Sequence, residues 1–178
     1  MDWYEKLNDY FPEHEMKDPN QLKDLIEEKD VYHLVETDDY IVLYAEFPSF
    51  IFIDYLLVTS RSRGQGIGTK VLGRLKSKGK MILLEAEPDS PDNEDAQRRL
   101  SFYFKNGFRL AESIRYVRED DEGRPYPMHI LYWSQSDLPE SEIMARMEKA
   151  CEEIHNFRAK RYYGRLLADP DKVLSWKQ

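Results

Sequence analysis

The sequence predicts an α/β fold: a mixed central sheet with helices on both faces, and an extra helix at the C-terminal end. Three observations predict it. Apolar runs of strand length alternate with stretches of helical period along the 178 residues. The runs at 50–58 and 81–86 are apolar almost throughout, as central strands covered on both faces must be. Between them, the glycine-rich stretch from Arg61 to Lys70 joins the first run to a helix-like one, 69–78.

Taken in order, residues 2–11 place Trp3, Leu7, Tyr10 and Phe11 at helical spacing and stop before Pro12. A second helix opens at Asp18-Pro19-Asn20-Gln21. Asp18 is a good N-cap, Pro19 suits the first helical position, and Gln21 would complete a capping box. Leu22, Leu25 and Ile26 form its buried face. Residues 31–36 and 40–47 read as paired strands around Thr37-Asp38-Asp39, with Ile41, Leu43, Ala45 and Phe47 on one face. Pro48-Ser49 separates them from the strand 50–58. The helix after the glycine turn ends near Lys78, with Gly79 as its C-cap. The strand 81–86 follows, then a polar loop at 88–95 that caps a helix over 94–106. Asn106-Gly107 ends that helix, and 108–117 reads as one strand. A polar loop at 119–127 leads to a last strand, 128–133. A long helix then runs to about Tyr162, with Ile143, Met147, Ala150, Cys151, Ile154 and Phe157 as its apolar stripe. That stripe covers the domain's own sheet, makes a dimer contact, or walls an acceptor site. The boundary falls at 1–136 for the main domain and 137–178 for an extension packed on it.

Composition narrows the function classes. Hydrophobic residues are 41% and charged residues 34%, which suits a globular domain. No apolar run approaches the ~20 residues of a membrane span. Met1-Asp2-Trp3-Tyr4-Glu5 lacks the basic and apolar blocks of a signal peptide, so a cytoplasmic location is expected. A single cysteine, Cys151, fits a reducing compartment, and four scattered histidines make no metal-ligand pattern. The net charge of −8 disfavours nucleic-acid binding, which needs basic surface. The same charge suits solubility and, more weakly, a cationic acceptor.

The strand–turn–helix around Arg63-Gly64-Gln65-Gly66-Ile67-Gly68-Thr69 is the strongest functional signal. A helix N-terminus presents free backbone N–H groups and favours a phosphate, and glycines let that phosphate approach. A Walker loop is excluded because Thr69 separates Gly68 from Lys70. A dinucleotide fingerprint is excluded because the glycines run G-x-G-x-G. The spacing that fits is R-x-x-G-x-G, five residues beyond the strand-end Val58. One strand and one helix later comes Phe102-Tyr103-Phe104-Lys105-Asn106-Gly107-Phe108.

The two motifs together, in this order, resemble the GCN5-related N-acetyltransferases (GNAT). The resemblance covers about residues 31–133 and includes the element order. It implies a GNAT-like sheet and transfer of an acetyl group from acetyl-CoA, as co-substrate, to an amine of a small molecule or a protein. It implies that backbone N–H groups of Arg63, Gly64, Gln65, Gly66, Ile67 and Gly68, with the Thr69 hydroxyl, hold the pyrophosphate. It also implies that the Val58 N–H polarises the acyl carbonyl and that Tyr103 protonates the leaving thiolate. Two core strands, 50–58 and 80–86, would splay to admit the pantetheine arm. Three departures stand out. Ala96 occupies the place of a cofactor-contacting asparagine, Phe52 the place of a glutamate base, and no first family strand is evident before residue 12.

A base must then come from elsewhere, or from water. Asp54 counts onto the same strand face as Val58 by period two, and Glu85 lies in the neighbouring strand; both are costly inside apolar runs unless satisfied. Glu87 borders a loop. The sequence names no acceptor. An acyl-CoA-binding module that performs no transfer is the alternative reading, and a nucleotide-binding protein is a third. Gly66→Asp or Gly68→Val is expected to block the cofactor while leaving the fold intact. The acidic loop at 119–122 is expected either to be merely solvated or to attract cationic acceptors.

Overall fold

The computed structural model describes residues 2–178; Met1, where the expected first domain begins, lies outside them. The main sheet has six strands in the order β1-β2-β3-β4-β8-β5. They are β1 (Tyr32–Glu36), β2 (Tyr40–Glu46), β3 (Phe50–Val58), β4 (Met81–Ala86), β5 (Arg109–Leu110) and β8 (His129–Trp133). One face is covered by α1 (Asp2–Tyr10), α2 (Pro19–Glu28) and α5 (Glu140–Ala150), through Leu7, Leu22, Leu25, Ile143 and Met147. The other is covered by α3 (Ile67–Lys76) and α4 (Glu94–Lys105), through Val71, Leu72, Leu75, Leu100 and Tyr103. Ile51 and Phe52 of β3 and Ile82, Leu83 and Leu84 of β4 are at most 2% exposed, as the near-continuous apolar runs require.

β3 and β4 are parallel, but they pair only from Phe50↔Met81 to Ile53↔Leu84. There β3 leaves its neighbour. On its other edge the register with β2 jumps from Leu43↔Tyr55 to Tyr44↔Ile53, so Asp54 is the extra residue of a β-bulge. The bulge reverses the alternation of side chains. Phe50 and Phe52 share the first core with Tyr55 and Leu57, while Ile51 and Ile53 share the second with Leu56. Period-two counting across the bulge therefore fails. Asp54 turns toward Lys17 and Tyr32 on the first-core side, whereas Val58 lines the cleft on the other.

Three further expectations need correction. The single strand expected over 108–117 is two: β5, then β6 (Ile114–Glu119) in a second sheet of order β7-β6-β9. Parity explains the break. Phe108 and Leu110 belong to the second core but Ile114 and Tyr116 to the first, and an unbroken strand would hold all four on one face. The loop over 119–127 contains the short strand β7 (Pro125–Pro127). The long C-terminal helix is interrupted. α5 runs into a π-turn at Cys151–His155, Arg158 takes a left-handed φ of 55°, and α6 (Ala159–Tyr163) follows. α7 (Pro170–Val173) then leads to β9 (Leu174–Trp176), which pairs with β6.

The interruption has local partners. Gln21, expected to finish a capping box, is fully buried instead and donates to the carbonyls of His155 (3.1 Å) and Phe157 (2.9 Å). The Asp18 cap is made on Asn20 N–H at 2.8 Å. Asn156 brackets Ala168, donating to its carbonyl at 2.7 Å and accepting from its N–H at 3.1 Å. Ile143, Met147, Ala150, Cys151 and Ile154 are all 0% exposed, so this stripe is consumed within the chain.

Candidate active site

The splay of β3 from β4 opens a cleft whose two ends differ. At the wider end, about 300 Å³, lie Leu56, Val58, the turn from Ser62 to Thr69, and Arg98, Arg99, Phe102 and Tyr103 of α4. Gly64 and Gly66 have φ of +80° and +75°, and Gly66 is the left-handed N-cap of α3. Glycine adopts that region freely. The first helical bond is Lys70 N–H to Gly66 O at 3.1 Å. Among the described residues, no acceptor takes the N–H of Gly64, Gln65, Gly66, Ile67, Gly68 or Thr69. A run of free amides at a helix start is an anion site. Gly68 has a separate reason to be glycine: a Cβ there would meet the Phe102 ring at 2.7 Å. A side chain at this position must displace the tip of the Phe102 ring, so Gly68→Val is expected to disturb the contact of α3 with α4 as well as the cofactor site.

The strand end supplies one more donor. Thr59 N–H bonds to Asp39 O at 2.8 Å, so it faces β2. Alternation turns the N–H and C=O of Val58 the other way, toward the edge that β4 has vacated. The Val58 carbonyl there accepts from Arg63 Nε at 3.3 Å, and the Arg63 guanidinium lies 5.0 Å from the centre of the Tyr10 ring.

The narrow end is a cavity of about 40 Å³ lined by Glu15, Asp54, Glu85, Arg118 and Met128, and it shares Leu56, Arg99 and Tyr103 with the wide end. Tyr103 thus stands at the junction, 7% exposed, with its ring edge-to-face against Phe102 and Phe108. Burial raises its pKa above the ordinary phenol range, against the opposing charge of Arg99, so it keeps its proton.

Neither carboxylate expected as a base is free. Asp54 accepts from Lys17 Nζ at 2.7 Å on one oxygen and from Tyr32 OH at 2.7 Å on the other. Glu85 meets Arg118 at 3.2 Å on Oε1, and Tyr116 OH (2.8 Å) and His155 Nε2 on Oε2. Burial alone would raise the Glu85 pKa, but His155 and Arg118 hold it well below the carboxylate range. Burial, then Arg118, pushes His155 down to about 4. Its Nδ1 has no partner, so the ring is assigned as the neutral Nε2–H form. A carboxylate stabilised this strongly in its charged form is a poor proton acceptor. The two pairs form a polar floor, with the C-terminal segment supplying His155.

Glu15 carries no signal in the sequence beyond lying in a polar stretch between two helices. Its turn, Glu13–Glu15, is tied to β3 because Tyr55 OH donates to Glu15 O at 2.7 Å and accepts from Lys17 N–H at 2.9 Å. Its Oε2 is buried with no hydrogen-bond partner. Burial first, then the charge of Glu87, raises its pKa to about 7, with Arg99 opposing. Glu87 accepts from Arg99 (3.2 Å) and Asn93 (3.3 Å). Arg99 lies over the rings of Tyr10 (5.3 Å) and Phe11 (5.4 Å), closing α1 against α4. His14, Glu15 and Glu87 each bring one side-chain nitrogen or oxygen within 4.8 Å of the others, a proximity the linear sequence does not reveal.

No protein-family profile matches the chain. It is 43% identical over 176 residues, 98% of its own length and 92% of the relative's, to YjbC of Bacillus subtilis (strain 168), which is named as a proposed acetyltransferase. A structure from Bacteroides thetaiotaomicron, assigned to the GNAT family, covers 92% of both chains with a TM-score of 0.66 at 23% identity. Arabidopsis thaliana Naa50, solved in complex with the bisubstrate analogue CoA-Ac-MVNAL, covers 75% of this chain and 91% of its own with a TM-score of 0.54 at 18% identity. These two likenesses concern the fold.

Proposed function

The chain belongs to the GNAT family of acetyltransferases, and from that premise we propose that it moves an acetyl group from acetyl-CoA to an amine by direct attack. The observation that carries this reading is the run of free amides from Gly64 to Thr69, opening into a cleft that ends at Tyr103. The pyrophosphate sits on those amides and Arg63 flanks it. The pantetheine arm follows the gap between β3 and β4, and the thioester carbonyl meets Val58 N–H. The leaving thiolate takes the phenol proton of Tyr103. Asp54 and Glu85 act as the charged floor that holds β3 and β4 apart, not as bases.

The proposal uses groups of one chain and needs no second copy. No helix of the described residues is long and apolar enough to cross a membrane. The single, buried, unpaired Cys151 suits a cytoplasmic setting. Isothermal titration with acetyl-CoA, ATP and NAD tests the cofactor. Acetyl-CoA is expected to bind, and equal or tighter binding of ATP or NAD overturns the reading. CoA release with a panel of amines then separates a transferase from a module that only binds acyl-CoA.

A further inference from the structure

We propose that Glu15, paired with Glu87, is the group that takes the proton from the acceptor ammonium ion. The proposal rests on the acetyl-transfer reading above and names a base for it.

Position makes the case. The narrow end of the cleft has room for an amine head group or a water, and of the carboxylates lining it only Glu15 has a buried oxygen, Oε2, that makes no hydrogen bond, with His14 Nε2 3.9 Å away. Asp54 is occupied by Lys17 and Tyr32, and Glu85 by Arg118, Tyr116 and His155. Glu15 shares its cavity with Tyr103, so base and acid face one reaction centre from different elements. Its backbone is pinned by Tyr55, and Tyr126 OH pins the preceding carbonyl of His14 at 3.2 Å. The groups facing its carboxyl are Glu85 of β4, Glu87 just beyond that strand, Arg99 of α4, Arg118 of β6 and His14 of its own turn. The like charges of Glu87 and Glu85 oppose its ionisation, and Arg99 limits the effect. A base balanced near neutrality can both accept a proton at working pH and release it.

The step balances. Glu15 removes one proton from the ammonium. The freed lone pair forms the C–N bond, the C–S bond breaks, and the thiolate takes the proton of Tyr103. The tyrosinate recovers the second nitrogen proton as the amide forms, and Glu15 returns its own proton to solvent.

The test measures kcat/KM against pH for the parent, Glu15→Gln and Glu87→Gln, with acetyl-CoA and whichever amine of the panel the parent acetylates. Activity of the parent should rise through about pH 7, because the base must lose its proton first. Glu15→Gln should lose that limb and about 10²-fold or more in kcat, with acetyl-CoA affinity within about twofold. Glu87→Gln removes the like charge, so the limb should move to lower pH. A Glu15→Gln protein with the parent's limb and rate overturns the proposal, as does a limb that a metal chelator abolishes in the parent. Carboxyl carbon NMR of the parent gives a readout that needs no acceptor. Glu15 should titrate near neutrality and drop in Glu87→Gln; titration in the ordinary carboxylate range overturns the assignment. If acetyl-CoA fails to bind the parent at all, the failure belongs to the transfer reading.

Discussion

The two ends of the cleft are built from opposite materials. The wide end is backbone: free amides, two left-handed glycines and a helix start, all within 63–69. The narrow end is charge held by distant partners: Lys17 on Asp54, Arg118 on Glu85, and His155 reaching Glu85 from 70 positions away. A local motif is enough to hold an anion that binds and leaves. Reaction chemistry needs ionisable groups whose proton affinity is set by their surroundings, and setting it inside a core takes partners from several elements. The difference separates what each end should lose when one group is changed.

The largest loss should come from the charged floor. Arg118→Met leaves Glu85 ionised in the core without its cation, which costs roughly 3–5 kcal/mol. In a chain of this length that lowers Tm by about 10 °C. The sign with pH is distinctive. In the parent, the depressed Glu85 pKa contributes stability at neutral pH that is lost as pH falls. Without Arg118 the Glu85 pKa rises, so the variant is hurt less in acid and the gap between the two narrows. Thermal melts at pH 7 and pH 4 measure it, and a constant gap would mean that Arg118 serves packing alone.

Next is the junction. Tyr103→Phe keeps the ring against Phe102 and Phe108 and removes only the hydroxyl, for which the described residues offer no hydrogen-bond partner. The expected outcome is a fall in kcat of roughly 10²-fold with acetyl-CoA affinity nearly unchanged. If affinity falls and kcat holds, the hydroxyl serves binding and the two ends share that role.

These two variants also mark how much was legible in the sequence. The glycine turn and the helix carrying Tyr103 are contiguous motifs, and their spacing alone led to the fold and the family. The orientation of Asp54 was not legible, because a one-residue bulge reverses side-chain alternation and leaves no trace in an apolar run. The interruption of the C-terminal helix was hidden too. Its stripe is regular through Phe157, and the break depends on Gln21 and Asn156 catching carbonyls far from them in sequence. Glu15 was hidden for the same reason, since only the fold brings Glu87 and Arg99 beside it.

A smaller contrast lies inside the wide end itself. At Gly66, a Cβ meets nothing within 4 Å but must hold φ at +75°. Gly66→Ala should therefore cost about 1 kcal/mol of strain and shift the amides rather than the fold. At Gly68 the conformation is helical but the ring of Phe102 stands at 2.7 Å, so Gly68→Ala should cost roughly 1–3 kcal/mol through displaced packing. Paired melts and acetyl-CoA titrations separate them. Gly66→Ala should lose affinity more than stability, and Gly68→Ala should lose both.

The smallest effect is expected just outside the narrow end, at the acidic loop. As four consecutive acids, Glu119 to Glu122 suggest a field that would draw cations in. The structure spends most of that charge locally. Arg165 meets Glu119 at 2.6 Å, and Arg124 meets Asp120 at 2.8 Å and Glu122 at 3.3 Å. Asp120 also accepts from the N–H groups of Glu122 and Arg124, so it shapes the turn before it attracts anything. Asp121 is left as the unopposed charge, and exposed charges are screened within a Debye length of about 8 Å at physiological salt. Asp121→Asn with Glu122→Gln should therefore change kcat/KM by less than about twofold, and the change should fade further as salt is raised. The measurement is kcat/KM for an acetylated amine from low to high ionic strength. A tenfold, salt-sensitive fall would show that the loop steers acceptors toward Glu15 and that pairing with Arg124 and Arg165 does not neutralise its field.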